Sequence, residues 1–131
     1  MVLEVAAAVT ALVCLGCGEE PRFVSVLLPT DTYDTAGPYL IEAWVVAPAG
    51  SKEFTVHLLA TPEATSTRDL VGTLVETRDG SERWQLSLPG RPAGTAFYFF
   101  LALVERSGHK VVYPAGAPAK LASFRVLATA E

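Results

Sequence analysis

Few side chains in this 131-residue chain could do chemistry: two histidines, two cysteines and 14 aspartates and glutamates. His57 lies between Val56 and Leu58 in a strand-like run, and His109 follows the Ser107-Gly108 turn. A metal site needs three or four ligands with support behind them. Two distant histidines without a cysteine or carboxylate cluster do not supply that, so both read as surface imidazoles and no metal or cofactor is expected. Asp31 and Asp34, in T-D-T-Y-D, could contribute to a weak calcium site if another loop supplied oxygens, since calcium takes six or more. Without an EF-hand spacing, turns capped by the aspartates' own side chains explain them better. The chain has no G-x-S-x-G, no recognised Ser, His and Asp arrangement and no G-x-x-x-x-G-K-[ST]. The expectation is therefore a protein that is not an enzyme, with a triad converging only in space as the weakest alternative. A net charge of −4 lacks the basic footprint of nucleic-acid binding.

The cysteines stand in Cys14-Leu15-Gly16-Cys17, at the end of an apolar leader. A redox or zinc C-x-x-C would belong on a folded scaffold, which this leader does not offer. Val5 to Leu15 is uncharged and has the length of a signal-peptide core, too short for an ordinary spanning helix. With a small residue before the cysteine, the stretch resembles a bacterial lipoprotein signal. That resemblance implies a signal peptide over residues 1–16, lipidation at Cys17 and a short tether over 17–21. It also implies an exported protein, membrane-anchored at the cell envelope on the periplasmic side or the cell surface. An ordinary signal peptide with incidental cysteines, or an uncleaved anchor, are the competing readings.

Beyond the tether the elements are β in character. A composition 50% hydrophobic and 18% charged excludes disorder as the main state. Strands are predicted over 23–28, 39–46, 53–59, 69–77, 83–88, 97–106, 110–113 and 123–127, with prolines at their ends or between them. Arg78-Asp79-Gly80-Ser81 reads as a tight hairpin, because Asp-Gly tolerates positive φ. Trp84, Leu86 and Leu88 alternate with Gln85 and Ser87 and are predicted to face the core. No segment carries helical spacing with caps. The fold class is all-β: a single antiparallel sandwich of about seven strands over residues 22–131.

Trp84-x-Leu86-x-Leu88-Pro89, then Gly94-Thr95, then Phe99-Phe100-Leu101-x-Leu103-x-Glu105-x-x-Gly108 resembles the back half of fibronectin type III-like and related immunoglobulin-like modules. In that pattern Phe99 and Phe100 stand for a tyrosine pair, Leu103 for alanine, Glu105 for aspartate and His109 for asparagine. The resemblance implies an immunoglobulin-like sandwich, here in an exported lipoprotein, that works by surface contact.

The longest apolar run, Phe97 to Val104, should line the core with Phe97, Phe99, Leu101 and Leu103. Tyr98, Phe100, Ala102 and Val104 then lie on the outer face, joined by Thr55, His57 and Leu59. A solvated face would carry charges or hydroxyls there. Tyr98, Phe100, Val104, His57 and Leu59 are accordingly the candidate interaction face, for a protein partner or a second copy. The alternatives are cover by the 61–77 connection or a reversed facing of the strand. The function expected is a binding or structural accessory module of the envelope, with a carbohydrate- or small-ligand-binding sandwich as runner-up.

Overall fold

A computed structural model describes residues 20–128 of the chain. The signal segment and Cys17 lie outside the described residues. Nine strands, and no helix among the described residues, make two antiparallel sheets packed face to face.

The first sheet contains β1 (Arg22–Leu27), β2 (Tyr39–Val46), β5 (Thr73–Arg78) and β6 (Ser81–Leu88), in the order β1-β2-β6-β5. The second contains β3 (Ser51–Leu59), β4 (Arg68–Val71), β7 (Ala96–Glu105), β8 (Lys110–Tyr113) and β9 (Ala122–Arg125). Its order is β9-β7-β3-β4, with β8 also paired to β7. The Phe97–Val104 run thus lies in the central strand, with β3 on one side and β8 and β9 end to end on the other.

Alternation of side chains turns this pairing into a core. Ile41, Ala43 and Val45 from β2 and Trp84, Leu86 and Leu88 from β6 meet Phe54 and Val56 from β3 and Phe97, Phe99, Leu101 and Leu103 from β7. Trp84 stacks on Phe54 across the sheets, with ring centroids 5.9 Å apart. Phe97, Phe124 and Tyr39 form a second aromatic group nearer the other end of the sandwich. Aromatic side chains that bury this much area dominate the stability of a domain this small. The inward set expected from the sequence is the observed one.

The β5–β6 hairpin closes through Asp79 and Gly80, whose φ angles of 51° and 82° are both positive. That is the two-residue turn that matches strand twist.

One predicted element divides. The run 69–77, expected as a single strand, is β4 in one sheet and β5 in the other, broken at Gly72. Gly72 donates its N–H to the Phe54 carbonyl at 2.8 Å. A Cβ there would lie 2.5 Å from the Phe54 ring. Only a residue without a side chain can pass this close to the core, so the chain changes sheets at this point.

The ends of the sandwich are pinned by side chains. Asp34 caps the turn after it, accepting from the Ala36 and Gly37 N–H groups at 2.8 and 3.2 Å. Asp31 accepts from the Arg125 N–H at 2.8 Å. Both aspartates therefore serve the loop geometry. Tyr39 donates its hydroxyl to the Asp34 carbonyl and accepts from the Arg91 N–H, joining two loops at that end.

Candidate interaction face

The candidate face is the outer surface of the β9-β7-β3-β4 sheet, and strand register decides which side chains share it. Directly opposed pairs are Leu59 with Tyr98, His57 with Phe100 and Thr55 with Ala102. Farther out, Asp69 and Val71 of β4 stand opposite His57 and Thr55. Val112 and Lys110 of β8 stand opposite Ala102 and Val104. The five candidate residues are thus brought onto one face.

Its apolar centre is partly covered by the chain itself. Phe100, Leu59 and Ala102 are buried; Tyr98, Val104 and His57 are half-buried. The cover has a topological origin. The strand beside β7 is interrupted between Tyr113, opposite Leu101, and Ala122, opposite Phe99. Phe100 is the residue at the gap, and residues 114–121 leave the sheet there. Gly116, Pro118 and Ala119 from this excursion, and Pro62 to Thr65 with Thr67 from the β3–β4 connection, flank an open groove of about 640 Å³ with Leu59 and Phe100 among its lining.

His57 carries the polar chemistry of the face. Its ring stacks on Phe100, centroids 4.6 Å apart and planes 18° from parallel. Its Nδ1 lies 2.7 Å from Asp69 Oδ1. A carboxylate only accepts, so Nδ1 carries the proton and donates. The Thr67 hydroxyl donates to the same oxygen at 2.6 Å. These two bonds, Thr67 first and His57 second, hold the Asp69 carboxyl below the usual aspartate range against a weaker opposing effect of burial. An imidazole oriented by a carboxylate is half of a nucleophile-activating unit. The pair orients the ring and clips β3 to β4.

His109 sits in the β7–β8 turn, 3.5 Å from Glu105 Oε1. Glu105 is only 1% exposed. Burial alone would raise its carboxyl. Hydrogen bonds from the Ala49 N–H and the Ser107 hydroxyl, both at 2.8 Å, together with His109, outweigh burial and lower it instead. Glu105 therefore ties the β2–β3 turn to the β7–β8 turn. Among the described residues no three His, Cys, Asp or Glu side chains gather as a metal site would require.

Sequence reasoning placed His57 as a surface imidazole and assigned no partner to it. The structure joins it to Asp69 on the adjacent strand. The only signal available beforehand was the position of His57 among apolar neighbours, which leaves the ring in need of a polar partner. Comparison with known proteins finds no family model that matches the chain and no matching curated relative.

Proposed function

We propose that this chain is an exported, lipid-anchored module of the cell envelope that acts by docking a protein partner or a second copy, without catalysis. The sheet orders β1-β2-β6-β5 and β9-β7-β3-β4 support an immunoglobulin-like reading, because they resemble the A-B-E-D and G-F-C arrangement of those sandwiches with an extra strand beside C. The lipobox-like Leu15-Gly16-Cys17 supports the anchor. Arg22 pairs with Val46, so a tether would enter at the end bearing the β2–β3 and β7–β8 turns. The 59–68 connection lies at the opposite end, away from a membrane on that arrangement.

One observation carries the docking function: the outer face of the β9-β7-β3-β4 sheet is apolar along β7, and Tyr98 remains half-buried on it, opposite Leu59. A half-buried aromatic on an apolar face is the usual anchor of an interface. The test substitutes Tyr98→Glu in the full chain and measures melting temperature alongside sedimentation. A folded variant that loses dimerisation, or loses a crosslinked envelope partner held by the unsubstituted chain, agrees with the proposal. Unchanged assembly and unchanged crosslinks would refute it. For the anchor, Cys17→Ser should release the protein from the membrane fraction or block its processing, with an acylated Cys17 as N-terminus in the unsubstituted protein. An unmodified mature N-terminus at another position would contradict it.

A further inference from the structure

The sandwich is closed along one lateral edge and open along the other. On the closed edge Phe23 of β1 packs on Tyr113 of β8, with centroids 5.8 Å apart, and Thr32 bridges to Val126. On the other edge, the crossing at Gly72 leaves β6 short of a neighbour. Pairing of β5 with β6 begins at Thr73 opposite Gln85, so Leu86 to Leu88 are paired only with β2. A slot of about 520 Å³ opens between the sheets there.

Its lining combines two chemistries. Leu58, Leu70, Leu86, Leu88 and Phe97 are core or core-packed side chains that form an apolar floor. Arg68 and Arg91 line the same slot, and no aspartate or glutamate does. Among the described residues neither guanidinium has a carboxylate within ion-pair distance, as with Arg22 and Arg106, whereas Arg78 and Arg125 each have one and Arg83 has two. In a chain of net charge −4, two arginines lining one slot without a carboxylate in it can serve as an anion-binding arrangement. A guanidinium presents a planar fork of donors suited to a carboxylate, and the volume falls in the range of small-molecule sites.

We propose that this slot binds an alkyl carboxylate, with the chain against the half-buried Leu58 and Leu70 and the carboxylate held by Arg68 and Arg91. The site shares no residue with the Leu59–Phe100 groove and does not depend on the anchor. It fits the small-ligand alternative that the sequence leaves open.

The test titrates the full chain, labelled at leucine and valine methyl groups, with octanoate. Octanol and acetate serve as controls for the head group and the chain. Saturable shifts confined to Leu58, Leu70, Val71, Val75, Leu86 and Leu88 are expected, with octanol and acetate each weaker by about tenfold or more. Replacing both arginines, R68Q with R91Q, should weaken octanoate by about tenfold per lost charged hydrogen bond and leave octanol unchanged. If that double variant does not fold, Val75→Glu, at a slot-lining position 42% exposed, sets a repelling carboxylate at the rim and should weaken octanoate likewise. Octanol or acetate binding as well as octanoate, shifts outside the slot, or no saturable shift at all would each overturn the proposal. An octanoate affinity unaltered by the substitutions would overturn it too.

Discussion

The two sheets shield the central aromatic of their outer faces in different ways. On the β1-β2-β6-β5 sheet, Trp44 lies under two guanidinium groups, Arg78 at 5.6 Å and Arg83 at 5.8 Å from the ring centroid. Arg83 pairs with Glu42 and Glu76, and Gln85 donates to Glu42. The two guanidinium groups shield the Trp44 ring, while Leu27 and Leu40 on the same face stay exposed. On the β9-β7-β3-β4 sheet the corresponding centre is Phe100, stacked on His57 and covered by two connections. The first face meets water through side chains from its own strands, whereas the second needs segments from elsewhere in the chain. The difference shows that an apolar sheet face can be read from alternation alone, while its cover depends on where the neighbouring strand breaks.

Substitutions sharpen this comparison, and the largest effect lies between the sheets. Trp84→Ala removes the ring stacked on Phe54 and should cost about 3–5 kcal/mol in urea unfolding. Phe100→Ala should cost about 3 kcal/mol, the lower end of the same range, because the groove above it already admits solvent. Glu105→Ala removes the buried acceptor of the Ala49 N–H and Ser107 hydroxyl bonds and should cost about 1–3 kcal/mol. Trp44→Ala, on the charged face, should cost only about 1 kcal/mol. Equal losses for Phe100 and Trp44 would erase the contrast between the two faces.

The smallest effect is a pH dependence. The Glu105 and Asp69 carboxyls are held below their ordinary values of 4.5 and 3.8. Their contribution to stability is therefore complete above those values and is lost as pH falls through the lower folded values. Melting temperature should drop between about pH 5 and pH 3, and less steeply in Glu105→Gln. The Asp69→Asn variant should change that slope little, since its half-exposed pair with His57 is screened by solvent.

Much of the fold was legible because alternation and turn chemistry act locally. Trp84, Leu86 and Leu88 announce an inward face every second residue, and Asp79-Gly80 fixes the hairpin register beside them. The break at Gly72 was not legible, because what forbids a side chain there is the ring of Phe54, far away in the chain. The same holds for Glu105, whose principal partner is the N–H of Ala49. His57 and Asp69 meet through the β3–β4 register, which no spacing rule expresses. The face itself was legible from the Phe97–Val104 run; its partial cover was not, since that follows from the interruption opposite Phe100.

Hydrogen exchange of residues 61–67 and 114–121, read by mass spectrometry, tests most directly whether the two faces are maintained differently. If both segments are held down by Phe100 and its neighbours, Phe100→Ala should speed exchange in both while Trp44→Ala leaves both unchanged. Unaltered exchange in Phe100→Ala would contradict the account, because the cover would then owe nothing to the apolar face beneath it.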